Sequence, residues 1–348
     1  MNQALAEILM PITVPASWIY AAAVGIRNRG FDRGRNVWKA DLPVISVGNL
    51  TLGGVGKSPM VAWIADLLIR QGHAPVIAMR GYMARPGEMA DEHAEYLDRL
   101  EEIKVVASPD RTGALKSFLS DNPQIDCILL DDGFQHRYIH RDLDLVLIDA
   151  TRNTFRDRLL PQGRLREPLV NLQRADVVII THAIATDDLI SAHVERYHHR
   201  PPLAWANHLW SHLRVFESSA EEKHCEVNWI RGKGVVTLLG VGNPETIHTQ
   251  LHEAGAKVLA NIPAGDHERY DRAKINVVKG LCGGADILFM TAKDWVKARE
   301  LIDLSSWPVP IVVPHLTMDV FSGAMELQEK ILSTVESFAP HPSGKPDR

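Results

Sequence analysis

The segment that most restricts the fold is Gly53-Gly54-Val55-Gly56-Lys57-Ser58-Pro59. A short apolar, β-branched run at 43–47 precedes it, and residues 60–71 follow with apolar side chains at helical spacing. Strand, glycine loop and helix in that order form a phosphate cradle. Glycines let backbone N–H groups curl around phosphate oxygens, and the helix N-terminus adds its dipole. Lys57 carries the point charge for the β- and γ-phosphates, and the Ser58 hydroxyl suits Mg2+. Pro59 falls in the first helical turn, where a missing N–H costs little. The full phosphate-loop pattern, G-x-x-x-x-G-K-[ST], begins with a glycine, and that position is Thr51 here. Thr51, Leu52, Gly53, Gly54, Val55, Gly56, Lys57, Ser58 and Pro59 are therefore the expected ATP-binding residues.

The rest of the chain extends this pattern. Further buried strands are expected at 74–79, 104–107, 125–130, 143–148 and 175–181, separated by helical stretches. Short continuous apolar runs of this kind argue for a parallel sheet covered on both faces. The fold class is thus α/β, a P-loop NTPase-type parallel sheet domain flanked by helices. A second, smaller α/β domain follows, with strands at 234–240, 257–262, 286–290 and 311–313. Residues 203–216 alternate as an extended connector would, so a two-strand linker joins the domains. The expected boundaries are 1–40 for a membrane-associating helical segment, 41–205 for the kinase domain and 206–320 for the linker strands and smaller domain. A helix at about 321–338 returns to the first domain, and 339–348 is a polar, proline-rich tail.

Composition narrows the function. A net charge of -5 lacks the basic excess of a nucleic-acid binder. Cys127, Cys225 and Cys282 are dispersed and odd in number, which does not make a disulfide framework. Residues 8–26 hold no charge and are followed by Arg27, Arg29, Arg33, Arg35 and Lys39. A run of roughly 18 residues or more is long enough to span a bilayer. Pro11 and Pro15 interrupt it, and the nucleotide loop must face cytosolic ATP. An interfacial helix, apolar face in lipid and basic flank at the headgroups, is the expectation. The His198-His199 pair reads as solvated surface, not a metal site.

An apolar strand at 128–130 runs into Asp131-Asp132-Gly133-Phe134-Gln135-His136. A strand ending in carboxylates beside a phosphate loop suits Mg2+, so Asp131 and Asp132 are metal candidates with Ser58.

With these blocks in hand, the chain resembles the tetraacyldisaccharide 4′-kinase (lipid A 4′-kinase) family. The family's V-G-N-x-T-x-G-G-x-G-K-T-P matches Val47 to Pro59, and its D-D-G-F-Q-H matches 131–136 without change. Thr51 in place of the first glycine is a trait of that family. Leu159-Leu160-Pro161-Gln162-Gly163-Arg164-Leu165-Arg166-Glu167-Pro168 resembles its L-L-P-x-G-x-L-R-E-P, Gly240-Val241-Gly242-Asn243-Pro244 its G-I-G-N-P, and Thr291-Ala292-Lys293-Asp294 its T-E-K-D. Asp266-His267 and Asp91-Glu92 resemble F-x-D-H and G-D-E-P, and the chain departs most between Tyr82 and Asp91.

The resemblance implies transfer of the γ-phosphoryl group of ATP, with Mg2+, to the 4′-hydroxyl of a membrane-embedded tetraacyldisaccharide 1-phosphate in lipid A biosynthesis. It implies a site at the cytoplasmic face of the inner membrane, with no nucleic acid and no obligate protein partner. A carboxylate–histidine pair of the family maps onto Asp91 and His267, the first accepting the hydroxyl proton and the second supporting its charge. They lie far apart in sequence, so catalysis is expected to need domain closure. Glu167 is a further candidate at Mg2+, and Arg80, Arg164 and Arg166 are weaker candidates for the anionic substrate. Two other readings remain open at this stage. One is a partitioning or switch-type P-loop ATPase, whose signature lysine would stand where Leu52 does. The other is a kinase acting on another sugar or lipid acceptor, which the divergent 82–91 stretch keeps in view.

Overall fold

The computed structural model describes residues 3–81, 96, 100, 103–217, 222–241, 244–265 and 268–338, the first eight of these as backbone only. The chain divides into two compact units, Met1–Arg80 with Ile103–His208 and Met318–Arg348, and Gly81–Glu102 with Leu209–Thr317.

The first unit is built on a parallel sheet. Its strands are β1 (Val44–Asn49), β2 (Pro75–Met79), β3 (Lys104–Ala107), β4 (Cys127–Asp131), β5 (Leu143–Asp149), β6 (Val177–Thr181) and the start of β7 (Ala204–Phe216). Their order is β7-β6-β5-β1-β4-β2-β3. Every residue of β1, β2, β4, β5 and β6 is buried, as a sheet covered on both faces requires. β1 lies between β4 and β5, with Val47 level with Asp131 and Asn49 level with Leu147. The loop after β1 therefore opens at the carboxyl edge of the sheet, with the acidic end of β4 on one side and the end of β5 on the other. Helix α2 (Lys57–Arg70) follows directly and buries Met60, Val61, Ile64, Ala65 and Leu68. Each of its large apolar side chains contributes about 1.5–3 kcal/mol, which holds the helix N-terminus at the loop.

Helix α1 (Gln3–Asp32) is longer than the charge-free run and continues through Pro11 and Pro15. One face is buried through Ser17, Val24, Asn28 and Phe31. The other leaves Ile12, Trp18, Ile19 and Ile26 about seven-tenths exposed (69%, 72%, 71% and 70%). Among the described residues no helix is long and apolar enough to cross a membrane. Helix α8 (Ala324–Glu336) packs in this same unit through Leu327, Ile331 and Val335, spaced by four residues.

The second unit has the parallel order β10-β9-β11-β12, from Lys257–Pro263, Gly234–Leu239, Ile287–Met290 and Ile311–Ser322. Helices Pro244–Glu253, Arg272–Leu281 and Ala292–Ala298 accompany it, and β8 (Glu222–Cys225) pairs antiparallel with the end of β7. β12 has twelve residues, far beyond the three-residue strand expected. Its second half is only partly buried, so the continuous apolar signal stops while the strand does not. Two of the sequence blocks serve the packing of this unit. The buried Asp294 carboxylate accepts from the Gly240 backbone N–H at 3.1 Å, the Tyr270 hydroxyl at 2.6 Å and the Thr291 hydroxyl at 2.7 Å.

His198 corrects an expectation. It is 4% exposed, with Nε2 2.9 Å from the Ala175 carbonyl oxygen, so it is a buried structural histidine and not solvated surface. All three cysteines are free, and Cys127 and Cys282 are buried.

Candidate active site

The glycine loop has the strained backbone that its glycines permit. Gly53 and Gly56 adopt φ of 105° and 83°, the region that side-chain-bearing residues avoid. Gly56 is the residue before α2, and its backbone oxygen accepts the Met60 N–H at 3.1 Å. Gly48 serves a different need. A Cβ there would lie 2.5 Å from that of Phe134, so the glycine lets the segment 132–135 pack directly on the end of β1.

Lys57 bends back across the loop. Its Nζ donates to Asn49 Oδ1 at 3.2 Å and lies 3.5 Å from Asp132 Oδ1. Asn49, fully buried, is oriented in turn by donating from Nδ2 to the Thr51 backbone oxygen at 2.7 Å. Asp132, at φ 52°, turns its carboxylate to Arg166, whose Nη1 donates to both oxygens at 2.8 and 2.7 Å. Burial alone would raise the Asp132 pKa, but Lys57, Arg166 and Arg111 outweigh it and hold the group below the ordinary carboxylate range. Asp132 is therefore an ionised acceptor at the mouth of a cationic loop. Asp131 closes β4 and is 4% exposed.

Residues 164–166 run beside the loop. Leu52 N–H donates to the Arg164 oxygen at 2.8 Å, and Arg166 N–H to the Leu50 oxygen at 2.7 Å. This places Arg164 next to Thr51 in a cavity of about 250 Å³ that Arg152 and Asn153 also line. Arg166 reaches the acidic pair, as the spacing of the block could not have shown.

Glu167, the further Mg2+ candidate, also meets groups of the protein. Its carboxylate is fully buried and is filled by protein donors: Asn171 at 2.7 Å, Arg174 at 2.8 Å, Asn28 at 2.9 Å and Arg27 at 3.4 Å. Asn28 and Arg27 belong to α1. Tyr20 of the same helix donates its hydroxyl to the Arg166 oxygen at 2.9 Å, and Ser17 to that of Leu159 at 3.0 Å. Glu167 thus anchors α1 to the loop that carries Arg166, chiefly through Oε2, while Oε1 has the 3.4 Å contact from Arg27.

Asp91 and His267 lie outside the described residues, as does the divergent stretch from Tyr82. Arg80 directly follows β2 and is exposed. Sequence reasoning missed Asn49, Gln135 and Asp149. Gln135 donates to the Asn49 oxygen at 2.9 Å and accepts from Arg166 at 3.2 Å. Asn49 and Gln135 stood inside the matched blocks, which was the available signal; Asp149 at the end of β5 carried none.

Comparison with known proteins fits this geometry. The profile of the tetraacyldisaccharide-1-P 4′-kinase family matches residues 9–336. The chain belongs to the tetraacyldisaccharide-1-P 4′-kinase family. It is 33% identical to a tetraacyldisaccharide 4′-kinase of Chlorobium chlorochromatii, over 94% of each chain. It is 31% identical to one from Geobacter sulfurreducens, over 82% of this chain and 83% of that one. The crystal structure of Aquifex aeolicus LpxK in complex with ATP superposes with a TM-score of 0.69 at 26% identity, covering 95% of this chain and 99% of that one. In this family context the loop, the acidic pair and Arg166 form one constellation in the first unit.

Proposed function

We propose that this protein transfers the γ-phosphoryl group of ATP to the 4′-hydroxyl of tetraacyldisaccharide 1-phosphate, making the lipid A precursor. The observation that carries the reading is the convergence of Lys57, Asp132 and Arg166 on the glycine loop in a chain of this family. The loop amides and Lys57 hold the β- and γ-phosphates and spread their charge. Ser58, Asp131 and Asp132 would supply the oxygen donors for Mg2+. A hard cation of this kind takes one or two carboxylates and completes its shell with phosphates and water, so the donor set fits. When bound, the ion neutralises charge on the phosphates. Lys57 and Arg166, now paired with Asp132, are the cations that nucleotide binding would redistribute.

Asp91 takes the hydroxyl proton and His267 supports it, in keeping with the family motifs around both. The acceptor oxygen then bonds to the γ-phosphorus as the bond to the β–γ bridging oxygen breaks, and the electron pair leaves on ADP. The exposed apolar face of α1, with the basic residues at its end, rests on the cytoplasmic surface of the inner membrane, where a four-chain lipid stays.

The test is transfer from γ-labelled ATP to the purified disaccharide 1-phosphate, with an unacylated glucosamine disaccharide as control. Wild type should label the lipid and Lys57→Ala should not. Labelling by Lys57→Ala, or equal labelling of the control sugar, overturns the reading.

A further inference from the structure

Arg152 has no part in the family blocks, yet its guanidinium lies on the phosphate loop. A Cβ placed on Gly53 would be 2.7 Å from Arg152 Nη1, with Cζ and Nη2 at 3.6 Å. The same Nη1 makes only a long contact, 3.5 Å, to the Leu52 backbone oxygen. Its Nε is fixed separately, 3.0 Å from Asp149 Oδ2. The fork is thus tethered from behind and presents its outer nitrogens to the loop.

The tether is rigid. Asp149 ends β5, next to β1, and is 2% exposed. Its other oxygen accepts from the Thr151 hydroxyl at 2.6 Å and the Thr151 N–H at 2.9 Å, and lies 3.2 Å from His182 Nδ1. His182 Nε2 is 3.1 Å from His208 Nδ1, and the His208 ring occupies the space over Gly56, 2.6 Å from where its Cβ would be. Burial would raise the Asp149 pKa, but the hydrogen bonds from His182 and Thr151 outweigh it and keep the carboxylate ionised. One buried carboxylate therefore aims an arginine at the front of the loop while the histidines behind it rest on the rear.

The front of the loop is the end where transfer occurs. Lys57 marks the β- and γ-phosphates, and its ammonium bends to Asn49, which also holds Thr51. Arg152 lines the cavity that begins at Thr51, together with Arg164. Arg166 is engaged by Asp132, while Arg152 Nη1 lies against the loop at Gly53.

We propose that Arg152 is a catalytic arginine supplied from within the chain, donating to the equatorial oxygens of the transferring phosphoryl group, and that Asp149 is the residue positioning it. The proposal rests on the kinase reading above. As the bond to the bridging oxygen of ADP breaks and the acceptor oxygen bonds to phosphorus, charge spreads over those equatorial oxygens. A preorganised planar cation there stabilises the transition state more than the ground state.

The experiment compares wild type, Arg152→Ala, Arg152→Lys and Asp149→Asn in the labelled-ATP assay. Binding of ADP with aluminium fluoride and Mg2+ is measured alongside, by calorimetry. Arg152→Ala should lower kcat by about 10³–10⁵-fold, with KM for ATP changed by no more than about threefold. Added methylguanidine should restore part of the rate to Arg152→Ala. Arg152→Lys should recover little, because a point charge does not reproduce the fork. Binding of ADP–aluminium fluoride should weaken in Arg152→Ala while ADP binding does not. Asp149→Asn should fall between wild type and Arg152→Ala in kcat. The proposal is overturned by a kcat of Arg152→Ala within threefold of wild type. It is equally overturned by a loss that methylguanidine does not restore and that comes with a lowered melting temperature, which is the mark of a structural clip. A wild type that does not label the lipid defeats the kinase reading instead, and the aluminium fluoride comparison then still decides the role of Arg152.

Discussion

Replacing Glu167 separates two tasks that its sequence position allows, binding Mg2+ and holding α1. Its carboxylate is fully buried and faces four donors. Arg27 is 42% exposed, so its 3.4 Å pair contributes little. Arg174 is 16% exposed and 2.8 Å away, with the Phe134 ring on its other side, 4.5 Å from centroid to Cζ. Truncation to alanine strands that buried guanidinium, a loss of about 3–5 kcal/mol when a buried pair is broken. The amides of Asn28 and Asn171 lose their acceptor as well, at roughly 1–3 kcal/mol each, though the three losses are not additive. An overall destabilisation of about 4 kcal/mol is a reasonable figure, and for a unit of this size it lowers Tm by roughly 8–16 °C. Glu167→Gln should lose less, since one amide oxygen still accepts. The assay is a thermal melt followed by circular dichroism without nucleotide, paired with the Mg2+ dependence of lipid labelling. An unchanged Tm in Glu167→Ala, together with a Mg2+ requirement raised tenfold or more, would refute the anchor and restore the metal-ligand role.

Two further outcomes are expected. His136 is pushed down from 6.5 to about 4, first by burial and then by Arg111 and Arg141. The unfolded chain therefore takes up this proton before the folded one, and stability should fall as pH drops from 6.5 towards 4. Urea titrations across that range should show a smaller loss in His136→Asn than in wild type; equal slopes would count against it. For the membrane face, Trp18→Glu with Ile19→Glu should cut the vesicle-bound fraction by roughly 10- to 100-fold on anionic vesicles while leaving Tm within about 2 °C, since both side chains are exposed. Undiminished sedimentation with vesicles would move the contact elsewhere.

The strand–loop–helix at 44–70 was legible because its signals are local. A buried strand, glycines at positive φ and an amphipathic helix each follow from neighbours in the chain. The acidic pair was legible for the same reason, as carboxylates closing an apolar strand. The α/β class was legible on the same local grounds, because apolar runs recur with helical spacers. Local reading missed what depends on partners far away. It gave no sign that Asn28 and Arg174 stand against Glu167, 139 and 7 residues distant. His198 reads as surface until Ala175 caps it from 23 residues away.

By itself the sequence determined the strand, glycine loop and helix around Gly53 to Pro59, the carboxylates that close an apolar strand at Asp131 and Asp132, and the family to which the chain belongs. Only the tertiary structure decided how that loop is surrounded. The parallel order β5-β1-β4 brings Asp149 to one side of it and Asp131 to the other, and the antiparallel run of 164–166 beside 50–52 delivers Arg166 to Asp132. The physical reason is that charge pairing acts over a few ångströms of space regardless of sequence separation, while a motif records only what adjacent residues do.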